Sequence, residues 1–343
     1  MENIAIDTCV SFAMLDYADE YEKHGKEALD KKIENEEKAI KPLHDRIVSL
    51  IDEDYYNQNY RGKPLDYGYL VYLDGKIAEI DERLTKLQNY LNGIYIDDRG
   101  RRTLIKTTKE QRANANRMIT ELREAKNKLQ NTRGTFKGLM RQYKPMADLL
   151  SCGKLFQRAV EGKVSLFVPM DSYDEILNHT HEHTTYRGAR SFNYYPLDKI
   201  KNVLKHCTLV TTNQSRILVG IDRLSRLYRS SDGVGKKMDN DLNALGVFGD
   251  SRIMAEASIM GMPLITLNAS DFVFDTDKQV KNDDIRLHIQ SVNRTFGLAN
   301  PDVKPYSVAE YLYGRHATAE ESKNKVTLTE VQTTSYAGKE MEI

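Results

Sequence analysis

Asn3-Ile4-Ala5-Ile6-Asp7-Thr8 opens the chain with a short apolar run that stops at a carboxylate. A run of this kind bounded by polar residues reads as a strand, and helix-favouring sequence follows it, so the chain begins as a βα unit. Lys163 to Pro169 (KVSLFVP), Thr208 to Thr212 (TLVTT) and Pro263 to Leu267 (PLITL) are runs of the same type. Between them Asp171 to Asn178, Arg216 to Tyr228 and the Ala-rich Ser251 to Met260 carry helical patterning, the last stopped by Gly261. Strands alternating with helices predict an α/β class with a mostly parallel sheet covered on both faces. Ligands in such sheets sit at the carboxyl ends of the strands, which is where Asp7 and the stretch Asn268 to Asp271 fall.

From about Ser11 to Pro145 the texture is long, charged and helical. Leu70, Leu73, Ile77, Ile80, Leu84, Leu87 and Leu91 alternate spacings of three and four, a coiled-coil seam. A second seam is expected along Ala115, Met118, Leu122, Ala125, Leu129, Thr132, Phe136, Leu139 and Tyr143, and a looser one along Ile33, Ile40, Leu43, Ile47 and Leu50. Asn92-Gly93 ends the middle helix, and residues 97–101 form the turn before the next. The expected organisation is a discontinuous core (1–16 and 146–313), an inserted antiparallel helical coiled-coil arm (17–145) and a disordered tail (314–343). Whether the heptads pair within one chain or between two is open at this stage.

The 343 residues include 50 basic and 50 acidic side chains, a net charge of zero that argues against a nucleic-acid partner only if the charges are evenly mixed. They are not. Asp16 to Asp98 holds 20 acids against 12 bases, and Arg99 to Lys163 holds 17 bases against 5 acids. The two segments either neutralise one another as facing helices or leave a basic surface for phosphates. Lys106, Lys109, Arg112, Arg123, Lys126, Arg133, Lys137, Arg141 and Lys144 all avoid the expected seam. No run approaches the ~18 apolar residues of a membrane helix. The three separated cysteines (Cys9, Cys152, Cys207) form no disulfide or CxxC pattern, which fits a reducing cytoplasm.

Acids in distinctive settings are Asp7 at a strand end, Glu175 in P-M-D-S-Y-D-E-I, Asp250 in G-D-S-R-I-M-A-E-A, and Asp271 beside Asn268 in L-N-A-S-D-F. Carboxylates gathered in one pocket repel, and one becomes protonated unless a cation neutralises them. Mg²⁺ suits oxygen ligands, needing one or two carboxylates plus waters and substrate phosphate. Two such ions can activate a water and stabilise the leaving oxygen of a phosphodiester.

The order Ile-Ala-Ile-Asp7-Thr8, Val-Pro169 with Glu175, Gly-Asp250 with Ala255 and Ala257, then Thr266-Leu-Asn268 with Asp271-Phe272, resembles the PIN-domain nucleases. The resemblance covers Met1 to Asp16 and Met146 to about Pro301. It implies an α/β/α sandwich on a parallel sheet and cleavage of RNA with Mg²⁺ or Mn²⁺. By it, Asp7, Glu175 and Asp250 match the first three metal-binding acids. The family often has Asp where Asn268 stands, so Asp271 is the candidate fourth acid and Asn268 a neutral oxygen ligand. Cys9 replaces a common Asn. An insertion this long departs from the family's minimal toxin members.

The cluster His179, His181 and His183 reads as a solvated helix end or as a metal or phosphate contact, with Thr8, His179 and His181 as candidate substrate contacts. Asp239 and Asp241 suit capping and turn roles, and Gly233 and Gly235 lack the rest of a phosphate loop. The tyrosines of the insertion, among them Tyr55, Tyr60, Tyr69 and Tyr72, either pack at the bundle edge or stack on bases. The expected function is a metal-dependent nuclease, RNA favoured, with a homodimer or protein partner possible through the arm. The alternative is a non-catalytic scaffold with a degenerate core.

Overall fold

In the computed structural model, residues 2–62, 64–96, 102–104, 106–179, 195–229, 249–267, 282–313 and 332–335 are described. Asn268, Asp271, His181, His183, Asp239 and Asp241 lie outside them. Strand β1 (Glu2–Ile6) leads into helices α1 (Thr8–Ala13), α2 (Leu15–His24), α3 (Lys26–Val48), α4 (Glu53–Asn59) and α5 (Gly68–Leu91). A hairpin of β2 (Ile94–Ile96) and β3 (Arg102–Leu104) precedes the 52-residue α6 (Lys109–Val160). Then come β4 (Val164–Val168), α7 (Met170–Asn178), α8 (Leu197–Leu204), β5 (Cys207–Thr211), α9 (Ser215–Arg229), α10 (Asp250–Ile259) and β6 (Leu264–Thr266). The last elements are α11 (Asn282–Phe296), β7 (Pro305–Ser307), α12 (Val308–Tyr313) and β8 (Gln332–Ser335). No helix among the described residues is long and apolar enough to cross a membrane.

The chain divides into two units, one of residues 1–42, 62–64 and 145–343, the other of 43–61 and 65–144. The first unit therefore keeps residues 17–42, which the sequence assigns to the inserted arm. Tyr17 and Leu29 are buried there, Lys26 pairs with Glu161, and Asp30 accepts from Gln157.

The first unit carries a sheet in the order β7-β6-β1-β4-β5-β8, parallel except for β8, which runs antiparallel to β5. The α/β expectation holds at that level. Two short strands escape the sequence reading: β7, and β8 within the tail expected to be disordered. Alternate residues of a strand face opposite sides. Ile4, Ala5 and Ile6 are all fully buried, so both faces of the central strand are covered. Ala5, Phe167, Val210 and Leu264 pack with α9, α10 and α11 through Leu224, Tyr228, Met254 and Ile289. Gly261, in the left-handed region at φ 69°, ends α10 and turns the chain into β6. The sheet order places β4 on one side of β1 and β6 on the other. The carboxyl end of β1 is thus a switch point in strand order, the usual position of a ligand crevice.

In the second unit the α5 seam follows the sequence reading, with Leu70, Leu73 and Leu84 buried. The α6 seam differs. Ile119 is 6% exposed and Met140 fully buried, whereas Met118 is 43% exposed and Ala125 lies on the surface. Buried or half-buried residues run through Ala115, Ile119, Leu122, Lys126, Leu129, Arg133, Phe136, Met140 and Tyr143, with Leu139 buried and Thr132 half-buried beside them as the sequence reading expects. Its two charged members are held across the helix pair. Lys126 Nζ lies 2.5 Å from Asp81 Oδ1, and Arg133 meets Asp74 through Nε at 2.5 Å and Nη2 at 2.9 Å. The partners sit seven residues apart on each helix and pair in opposite chain order. Nearby, Tyr55, Tyr69 and Tyr72 contact one another, Tyr69 meets Phe136 edge-on, and Tyr60 and Tyr69 are buried. These tyrosines pack the helix junction.

Candidate functional site

β1 ends at Ile6 because Asp7 turns the chain into α1. Asp7 has extended backbone angles and its carboxylate accepts from Thr8 N at 2.7 Å, an N-cap that satisfies one orphan donor of the helix. Its backbone N–H still bonds to Ile265 O of β6 at 3.0 Å, which ties the turn to the neighbouring strand. The second carboxylate oxygen accepts from Thr266 Oγ1 at 2.7 Å, with Cys9 Sγ 3.2 Å away. Leu267 N donates to Cys9 Sγ at 3.2 Å. Asp7 is buried at 4% exposure, and both its oxygens carry donors. Burial, then the Asp7 charge, push the Cys9 thiol well above its ordinary range, so it stays protonated.

Glu175 arrives from α7, the helix that follows β4. Thr8 Oγ1 donates to Glu175 Oε2 at 2.7 Å, with the Ser172 carbonyl 3.3 Å away. One hydroxyl thus joins α1 to α7 and brings the Glu175 carboxyl to the residue next to Asp7. Asp250 begins α10 behind Gly249 and is partly exposed. His179 caps the other end of α7, and its ring meets Phe12 edge-on at 5.1 Å, while Phe12 stacks on Tyr195 at 4.1 Å. Thr8 and Phe12 are four apart on α1, as are Glu175 and His179 on α7, so polar and aromatic contacts occupy successive turns.

Three groups that the sequence reading does not single out lie on the same helices as Glu175 and Asp250. Glu256 on α10 is 4% exposed, and Asp171 on α7 is buried. Arg252 bridges Asp171 and Asp222. Burial, and after it the neighbouring Asp171, raise the Glu256 carboxyl well above the usual range. Burial and Asp171 likewise raise Asp174. The sequence signal was a lone acid inside the apolar run Met254-Ala255-Glu256-Ala257, since a buried Glu is rare unless it is paired.

Asp7 and Glu175 therefore come together through Thr8, and Thr266 and Cys9 also contact Asp7. Among the described residues, no group of three His, Cys, Asp or Glu side chains stands ready to hold a metal ion. An all-oxygen donor set of one or two carboxylates nevertheless suits a hard divalent ion that keeps waters in its shell. Of the basic positions, Lys106, Lys109, Arg112 and Arg123 are exposed, whereas Lys126 and Arg133 are engaged with aspartates. Comparisons with family models, with curated proteins and with solved structures find no match.

Proposed function

We propose that the chain is a PIN-like nuclease that hydrolyses phosphodiester bonds with Mg²⁺ or Mn²⁺, RNA being the favoured substrate. The observation that carries this reading is the Thr8 hydroxyl contact, which joins the Glu175 carboxyl to the residue beside Asp7 at the switch point of a parallel sheet. Asp7, Glu175 and Asp250 would hold the ion, with Asn268 and Asp271 as further ligands. A bound divalent ion supplies Lewis-acid activation of water and of the phosphodiester. The protein's own groups orient the carboxylates: Thr266 and the Thr8 N–H fix Asp7, and Thr8 Oγ1 fixes Glu175. No side chain is required as a nucleophile. His179, and His181 beyond the described residues, are candidate substrate contacts. The three cysteines suit a cytoplasmic setting.

In the same proposal α5 and α6 pair as an antiparallel coiled coil within one chain, supported by the opposite order of the Asp74–Arg133 and Asp81–Lys126 pairs. Phosphate contacts then fall to Lys106, Lys109, Arg112 and Arg123, with Lys137 and Arg141 further along the helix, and the paired Lys126 and Arg133 contribute less. Each neutralised phosphate adds roughly 0.7–0.9 to the slope of log affinity against log salt. RNA affinity independent of salt would remove the basic face from the account. A second reading, a non-catalytic scaffold, is favoured by Asn268 standing where an acid is expected. Mn²⁺ titration followed by thermal unfolding separates the two. Stabilisation of the wild type that is lost in Asp7→Asn supports the nuclease, and no stabilisation of the wild type supports the scaffold.

A further inference from the structure

We propose that Glu256 and Arg252 form a clamp through which α10 fixes the placement of α7, making them positioning residues for divalent-ion affinity at the Asp7–Glu175 centre. The inference rests on the metal-dependent reading above and assigns to two residues a role which that reading leaves empty.

The first N–H groups of any helix lack intrahelical acceptors. On α7 the N-cap is Pro169, which offers no side-chain acceptor. The acceptor comes instead from α10. Asp171 N lies 3.4 Å from each carboxyl oxygen of Glu256, and Met170 N also bonds to that group. Glu256 thus caps α7 from a neighbouring helix. Arg252, one turn before Glu256 on the same face of α10, pairs with the Asp171 carboxylate and reaches Asp222 on α9. The second residue of α7 is therefore held twice by one helix, its backbone by Glu256 and its side chain by Arg252. Asp171 and Glu175 lie four residues apart on one face of α7, so fixing the first fixes the rotation of the second. The opposite end of that stripe meets Thr8.

The upward shift of the Glu256 carboxyl, caused by burial and then by Asp171, fits this geometry. A neutral carboxyl keeps one donor, and Glu256 shares a side-chain hydrogen bond with Asp171. The cavity it borders is lined mainly by apolar residues, among them Met170, Val210, Ile217, Ile221 and Ile259, together with Thr212. A leucine here would leave the Met170 and Asp171 N–H groups without this acceptor, whereas a glutamine would keep it.

The test uses the full chain with MnCl₂ as probe, reading the metal-free melting temperature and the Mn²⁺ midpoint for wild type, Glu256→Gln, Glu256→Leu and Arg252→Lys. Glutamine can accept from the two N–H groups and donate to Asp171, so Glu256→Gln should keep the midpoint within about twofold, given that each shift of 1.4 kcal/mol would be tenfold. Glu256→Leu should weaken it by on the order of tenfold or more, as expected of outer-shell partners, and should also lower the metal-free melting temperature, because the Met170 and Asp171 N–H groups lose their acceptor. Rescue of the midpoint by Glu256→Gln, which removes the acid and keeps the acceptor, is the readout that separates positioning from a need for the charge itself. Arg252→Lys, which keeps the charge and loses the fork, should also weaken the midpoint, and it decides the matter if Glu256→Leu does not fold. A wild-type midpoint in Glu256→Leu or Arg252→Lys, or a weakened one in Glu256→Gln, overturns the clamp. Absence of Mn²⁺ stabilisation in the wild type overturns the metal reading beneath it.

Discussion

Lys126 and Arg133 occupy seam positions of α6, and the register they define can be measured. Arg133 grips Asp74 with two donors at 2.5 and 2.9 Å, and the side chains are 32% and 46% exposed. Exposed ion pairs contribute about 0.2–1 kcal/mol, so a double-mutant cycle on this two-contact pair should give a coupling of about 0.5–1 kcal/mol. Lys126–Asp81, a single contact, should fall near the low end of the same range. The apolar positions give a larger contrast. Ile119→Ala removes a side chain that is 6% exposed and should cost about 2 kcal/mol, whereas Met118→Ala, at 43% exposed, should stay within about 0.5 kcal/mol. Native-state hydrogen exchange of α6 amides reads local opening in this unit separately from global unfolding. Equal costs at Ile119 and Met118, together with zero coupling at both ion pairs, would refute the register.

Other outcomes follow from single buried contacts. Gly153→Ala would put a Cβ 2.4 Å from Tyr17 Cε1, and Tyr17 is 1% exposed, so thermal unfolding should show a loss of about 1–3 kcal/mol. An unchanged melting temperature would contradict that packing. Tyr228→Phe removes a buried hydroxyl 2.5 Å from Asn293 Oδ1 and 2.9 Å from Ser258 Oγ, and should cost about 1–3 kcal/mol in urea unfolding. No loss would mean that these groups find other partners. The folded state holds the Glu256 proton to higher pH than the unfolded chain does. Its contribution to stability is therefore complete at pH values below 4.5 and declines as pH rises from there toward the raised folded value. Glu256→Gln should flatten that decline, and an identical slope in both proteins would assign it elsewhere.

The strands β1, β4, β5 and β6 were legible because each is a short apolar run buried on both faces. β7 was not, being three residues that begin with Pro305, and β8 lies in sequence without periodicity. The α5 seam could be read because every position on it is Leu or Ile. The α6 seam is legible at Ala115, Phe136, Leu139 and Tyr143 and fails at Met118 and Ala125, because pattern reading admits only apolar residues, whereas Lys126 and Arg133 lay their stems there and carry their charges to Asp81 and Asp74. The boundary between units was missed because residues 17–42 have the same charged helical texture as the rest of the insertion. Only contacts such as Tyr17 against Gly153 distinguish them. At the site, Asp7 was visible from its strand end. Its grouping with Glu175 comes from the resemblance alone, while the Thr8 hydroxyl contact that joins them spans 167 residues and is encoded by neither periodicity nor spacing. Asp171 and Arg252 were invisible for the same reason.

The central claim is that Asp7 lies in a metal-dependent phosphodiesterase site, and a cleavage assay addresses it most directly. Wild type, Asp7→Asn and Glu175→Gln would be incubated with end-labelled single-stranded RNA in Mn²⁺, with chelator as control, after far-UV circular dichroism shows that all three are folded. The expected result is Mn²⁺-dependent, chelator-sensitive cleavage by the wild type that both variants lose. Cleavage by purified Asp7→Asn at the wild-type rate, or none by the wild type on RNA or single-stranded DNA, would contradict it.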